Sequence, residues 1–201
     1  MDRHEAVLNA ELLTVFGIEA NEIPAPNLVA TEVGIDFARR VLSGVKRPIV
    51  VFHPGSGGSV LRCPPGIFGR AARILIDDVE RFLESVVDGV LDLTGKTDFE
   101  QLTGILDLAN FFVVQRTGPL HIAFGLGTSV VGIYPPSRKT GSDRWRPLGS
   151  ESSIVRPDFP ACPRCIVARC RHFNCIESIR PEDIVKSIKE LAFAKGETDS
   201  G

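Results

Sequence analysis

The 201-residue sequence predicts a parallel α/β sheet flanked by helices, and three features carry that prediction. Pro48 to His53 is a continuous apolar run that opens into Pro54-Gly55-Ser56-Gly57-Gly58, the pattern of a buried parallel strand leaving its sheet. From Val90 onward, short apolar runs alternate with stretches of helical periodicity, which a chain does when it builds successive βα units. Finally, Gln115 to Ala123 places Thr, Gly and Pro where a β-rich run gives way to a helical one.

Taken in order, Asp2 is positioned to cap a first helix reaching about Phe16, with Val7, Leu8, Leu12, Leu13 and Val15 as its apolar stripe and Gly17 as its stop. The stretch from Ile23 to Leu28 holds two prolines and no periodicity, so it reads as a linker. Thr31 then caps a second helix that ends near Gly44. After the Pro48 to His53 strand, the segment between Gly66 and Glu84 fits one long helix, the favoured reading, or a strand Arg73 to Ile76 followed by a turn and helix. Next come a strand at Val90 to Leu93, a turn at Thr94-Gly95-Lys96, a helix from Asp98 to Ala109 and a strand at Phe111 to Val114. A glycine-containing turn and helix follow, then a strand at Val130 to Tyr134. Beyond Pro135 the chain is rich in Pro, Ser, Arg and Gly, and helical periodicity returns only from Pro181 to Ala194. The expected division is helices and linker over 1–47, the α/β domain over 48–195 and a disordered tail over 196–201.

Composition narrows the function. Lys and Arg number 23 against 25 Asp and Glu, a formal charge of -2, so no overall basic field draws in nucleic acid or anionic lipid, and any phosphate binding is local. The charged, amphipathic N-terminus has no signal-peptide core, and no apolar run is long enough to span a bilayer, so the expected location is the cytoplasm, with membrane contact peripheral at most.

The chemistry concentrates at Gln115 to Ala123. Thr117 is placed to cap the helix, Gly118 lets a ligand approach the backbone and Pro119 suits the first turn, where free N–H groups favour an anion such as a diphosphate. His121, one turn in, is suited to donate a hydrogen bond to a phosphate oxygen or to stabilise a leaving group. The plainer alternative makes His121 a core histidine bonded to backbone.

Three motifs stand in a telling order: His53-Pro54-Gly55-Ser56-Gly57-Gly58, then Leu93-Thr94-Gly95-Lys96-Thr97, then Thr117-Gly118-Pro119-Leu120-His121-Ile122-Ala123. A cysteine-containing segment and Ile179-Arg180-Pro181-Glu182-Asp183-Ile184 follow. From about Pro48 to Leu191 the chain thereby resembles family 9 glycosyltransferases of the heptosyltransferase type. That resemblance implies the C-terminal half of a GT-B fold, a Rossmann-like domain that binds an ADP-heptose-like donor. In such enzymes a separate N-terminal domain binds the lipopolysaccharide core acceptor, and the sugar passes with inversion and without a metal.

The resemblance assigns Ser56, Gly57 and Ser59 to a phosphate-side loop, and Thr117, Gly118 and His121 to the diphosphate motif. Arg116 stands where the family carries an acidic residue, and Leu61-Arg62-Cys63-Pro64 stands where it carries Lys-x-Trp-Pro. Arg62 and Arg116 then become phosphate contacts or solvated surface residues, and Glu80 a ribose contact if the strand reading of Arg73 to Ile76 holds. With only 1–47 ahead of the first strand, the chain is expected to lack the acceptor domain and to be incomplete as an enzyme unless another chain supplies that domain.

Cys162 and Cys165 form a CxxC half-site for zinc that Cys170 and Cys175 complete, with His172 as a substitute ligand. An iron–sulfur cluster and unliganded reduced thiols are the alternatives. Competing functions follow: a small zinc module, with Arg164, Arg169 and Arg171 meeting RNA or a protein, or a non-catalytic remnant that keeps the sheet.

Overall fold

A computed structural model describes residues 3–19, 23–56, 61–80, 90–137, 140–148, 152–159 and 175–198. Its centre is a four-stranded, all-parallel sheet of order β1-β2-β3-β4, with β1 at Val50–His53, β2 at Phe111–Gln115, β3 at Ser129–Ile133 and β4 at Ser152–Val155. Every residue of β2 and β3 is buried, which explains why both read as unbroken apolar runs rather than as alternating patterns. Parallel strands all end at one edge, so His53, Gln115, Ile133 and Val155 deliver their following loops to the same side of the sheet.

Helices cover both faces. On one, α3 (Pro65–Glu80) and α7 (Pro181–Thr198) enclose a core that includes Ile67, Phe68, Phe111, Val113, Val131 and Ile184. On the other, α4 (Phe99–Leu108) and α5 (Gly118–Gly125) pack Leu106, Leu120 and Ala123 against Phe112, Val114 and Val130. Asp98 and Gln101 close a reciprocal capping box at the start of α4, which sets its first turn. The helix from Pro65 to Glu80 selects the favoured reading of that segment over the strand at Arg73 to Ile76. A ribose contact by Glu80 rested on the strand; the Glu80 side chain lies outside the described residues.

The helix α2 (Glu32–Val41) is capped by Thr31, whose hydroxyl accepts from the Gly34 N–H at 3.1 Å, and it packs on the outer side of α4. The two backbones touch through glycines: a Cβ on Gly104 would sit 2.0 Å from the Gly34 carbonyl oxygen. Residues ahead of β1 are thus packed onto the helical layer.

Elsewhere the structure departs from expectation. The first helix, α1 (Glu5–Glu11), is capped by His4, whose ring accepts from the Ala6 N–H, whereas Asp2 lies outside the described residues. After Glu11 the chain tightens into a 3-10 helix, Leu12–Phe16, that Gly17 ends in the left-handed region at φ 73°. Leu12, Leu13 and Val15 are exposed there, so the anticipated stripe does not form one buried face. Residues 90–93 are not a strand: they find no ladder partner among the described residues, and Val90 and Leu91 are exposed. The Asp92 carboxylate instead accepts from the Thr94 N–H, and Gly95 completes the turn at φ 67°. The irregular-looking chain past Pro135 contains a short helix α6 (Ser142–Trp145) and the edge strand β4, paired in register with β3.

Gly104→Ala is expected to lower stability by about 2 kcal/mol, because a methyl forced onto the Gly34 carbonyl must separate two helices. A urea midpoint equal to or above the parent's would overturn this, since helix propensity by itself favours the alanine.

Candidate functional site at the carboxyl edge of the sheet

The edge is built around Gln115, the last residue of β2 and only 2% exposed. Its amide nitrogen donates to the Pro54 carbonyl at 3.2 Å, and its amide oxygen accepts from the Cys63 N–H at 2.8 Å. Both ends of the loop leaving β1 are thereby tied to β2. Cys63 is fully buried beside that tie, and burial pushes its thiol up to about 12, far from thiolate reactivity at neutral pH.

At the mouth of this loop, the half-buried His53 ring lies 6.3 Å from that of Phe112, and burial holds its pKa below the ordinary histidine value. Ser56 follows, its hydroxyl oxygen buried and without a hydrogen-bond partner among the described residues. Gly57 and Ser59 lie outside the described residues. Arg62 is exposed just ahead of α3.

Across the edge, Thr117 occupies the N-cap position of α5 with extended backbone, but its side chain does not cap the helix. The hydroxyl instead donates to the Gln115 carbonyl at 3.2 Å. Leu120 N–H is taken by the Thr117 carbonyl at 3.0 Å and Pro119 brings no N–H, so an anion here would meet the Gly118 N–H and the side chains around it. Gly118 is open: nothing lies within 4 Å of where a Cβ would stand.

Arg116 and His121 flank this turn, and the structure brings both to Trp145. The Arg116 guanidinium carbon lies 5.7 Å from the indole centroid, and the His121 ring meets the indole edge-on at 6.5 Å. His121 meets solvent on its outer side; crowding by the protein, with the positive charge of Arg116 added, holds its pKa below the ordinary value. At neutral pH the ring is therefore a neutral donor rather than a cation.

Trp145 is itself held from three sides. The buried Tyr134 hydroxyl donates to its carbonyl at 3.0 Å. Arg144 pairs with Glu5, holding that carboxyl below its ordinary range. His4 uses Nδ1 to accept from Ala6, so its Nε2 carries the proton and donates to the Arg146 carbonyl at 2.7 Å. Gln115, Trp145, His4 and Glu5 were not among the sequence candidates. A polar residue closing an apolar strand, and the sole tryptophan in a polar loop, are signals that point to the first two.

Among the cysteine candidates, Cys175 opens a 3-10 turn, Cys175–Ser178, and packs against the core, while Cys162, Cys165 and Cys170 lie outside the described residues. Among the described residues no three His, Cys, Asp or Glu side chains are grouped to hold a metal, and no helix is long and apolar enough to cross a membrane.

A parallel α/β body with its turns gathered at one sheet edge is the architecture of a GT-B glycosyltransferase domain. The model of glycosyltransferase family 9 (heptosyltransferase) matches residues 68–174, more than half of the chain, and the chain belongs to that family. Lipooligosaccharide heptosyltransferase 2 of Campylobacter jejuni is 25% identical over 126 residues, covering 62% of this chain and 39% of that protein. A family 9 glycosyltransferase from Veillonella parvula superposes with a TM-score of 0.76 at 18% identity, over 96% of this chain and 60% of that one. The ADP-heptose LPS heptosyltransferase II of E. coli superposes at 0.63 and 19% identity, over 89% and 58%. The chain therefore spans well under two thirds of the length of these proteins.

The half-buried His53 yields a pH prediction. Its folded pKa is depressed and its unfolded value is about 6.5, so below that value the unfolded chain binds the extra proton more readily. Its stabilising contribution is complete above about pH 6.5 and is lost as the pH falls towards the folded value. The urea midpoint is expected to drop between about pH 7 and 5, and His53→Gln to flatten part of that drop, with His121 supplying a further part in the same direction. An equal slope in parent and variant would show that His53 is not the group responsible.

Proposed function

We propose that this chain is the donor-binding unit of a heptosyltransferase-like glycosyltransferase, taking an ADP-sugar for transfer to a lipopolysaccharide core acceptor. The observation that carries this reading is the open Gly118 turn at the end of β2, flanked by Arg116 and His121 and facing the loop that holds Ser56. Family membership and the ADP-heptose donor of the E. coli heptosyltransferase II support ADP-heptose as the substrate class.

In this reading the diphosphate meets the N-terminal end of α5 and the Gly118 N–H, the Ser56 hydroxyl, without a partner among the described residues, donates to it, and Arg116 offsets the charge. His121 donates a hydrogen bond to the leaving diphosphate as bond breaking builds negative charge there. These residues serve the departure of the diphosphate; the groups that position the acceptor's hydroxyl and the base that removes its proton belong to residues beyond them, on further sequence or another chain. No metal is required, because the turn and Arg116 supply the positive potential. A second reading, a sugar-nucleotide-binding remnant without transfer, is favoured by Arg116 itself, whose guanidinium lies over Trp145 at a position the family gives to an acidic residue.

Calorimetry with ADP separates these readings from no binding at all. The parent is expected to release or absorb heat on ADP addition and Gly118→Val to lose it, with the urea midpoint measured alongside to show that the fold is kept, since the added Cβ itself meets open space. Equal heats for both would remove the turn as the site. Diphosphate beside His121 also raises its pKa, so near pH 6.5 binding takes up protons. The apparent enthalpy then depends on the buffer's ionisation heat in the parent, and less so in His121→Gln.

With ADP-heptose and a deacylated core acceptor, the 201-residue polypeptide alone is expected to form no product above a no-protein control. Mass spectrometry of the acceptor showing multiple turnovers would overturn the assignment of acceptor and base to residues outside it.

A further inference from the structure

The sole tryptophan of the chain contacts both charged or titratable groups of the proposed diphosphate turn. This is not a chance surface stacking. Trp145 belongs to a helix of four residues fastened at two parts of the fold: Arg144 to Glu5 and the Arg146 carbonyl to His4 at the start of the chain, and the Trp145 carbonyl to the buried Tyr134 after β3. Tyr134 in turn depends on Gly132, where a Cβ would lie 2.6 Å from the tyrosine ring. The indole is therefore a fixed plate set by β3 on one side and by the start of the chain on the other.

What the plate does follows from guanidinium geometry. A solvated arginine samples many rotamers, and ordering it on ligand arrival costs free energy. The indole face attracts the guanidinium through its charge at this 5.7 Å separation, while phosphate recognition engages the guanidinium N–H donors, so one arginine serves both contacts. The edge-on contact with His121 orients the imidazole in the same way, with the ring turned about the α5 start rather than free on the helix surface.

Resting on the diphosphate reading of the turn, we propose that Trp145 is a positioning residue of that site: it holds Arg116 on its face and His121 at its edge beside Gly118, selecting a ligand whose two adjacent phosphates reach both. The chain's first residues share in this function, because His4 and Glu5 fasten the segment that carries the plate.

Calorimetric titration of ADP into the parent, Trp145→Leu, Trp145→Phe, Arg116→Ala and the Arg116→Ala/Trp145→Leu pair tests it. Losing the plate is expected to weaken ADP about tenfold in Trp145→Leu, with Trp145→Phe staying within about threefold because an aromatic face remains. In the double variant the two losses should not add, since Trp145 acts through Arg116. Parent affinity in Trp145→Leu, or fully additive losses, would overturn the positioning role while leaving the diphosphate turn standing. No heat from the parent would overturn the turn and the role together. Because Trp145 is the sole indole, its emission in the parent also reports the contact without ligand. Acidification through the His121 titration should quench it, and His121→Gln should abolish that change; an unchanged profile in the variant counts against the edge contact.

Discussion

One buried amide organises the working edge of this protein. Gln115 ends a strand that is otherwise all apolar, and a polar side chain at 2% exposure is tolerable only when its donors and acceptor are matched. The matches it finds are Pro54 and Cys63, on either end of the loop leaving β1. Removing either bond would strand a buried polar group, so the loop is fixed to β2 by the cost of leaving the amide unsatisfied more than by the intrinsic strength of the bonds. The carbonyl of the same residue takes the Thr117 hydroxyl, which links the loop to the α5 turn through a single position.

Around that edge the chain uses backbone proximity where other folds use large side chains. Gly34 and Gly104 bring α2 and α4 together with no room for a methyl, which packs a segment from before the first strand onto the helical layer. A second tether runs through His4 and Glu5 to the α6 segment, where an ion pair and a hydrogen bond to a carbonyl act in place of apolar packing. The contrast has a physical basis: α1 contributes no buried residue, so its position depends on directional polar contacts. Leu12, Val15 and Phe16 remain exposed beyond it.

Electrostatically, the site gathers donors and positive charge without any carboxylate in the turn itself. His121 lies near Arg116 and stays neutral, which preserves a hydrogen-bond donor where a second adjacent cation would be repelled. A negative ligand would reverse this balance, and the local field thus favours an anion before any specific contact forms. Family 9 membership is consistent with that sign, and the arginine at 116 extends it.

The sequence alone determined the fold class, most of its elements and the turn. Short continuous apolar runs that open into turns suit a parallel sheet with both faces covered, and β1, β2 and β3 carried that signature, while Thr31 was legible as a cap. Helical periodicity was enough to favour α3, and the ordered motifs were enough for the family. The tertiary structure decided what depends on partners distant in the chain. Residues 90–93 have strand composition but meet no ladder among the described residues, whereas Ser152–Val155 looks unremarkable yet pairs because β3 presents an open edge to it. The same reason hid Trp145, His4 and Glu5: their roles arise from contacts across more than a hundred residues of sequence or between two loops, and no local pattern encodes a neighbour that only folding supplies.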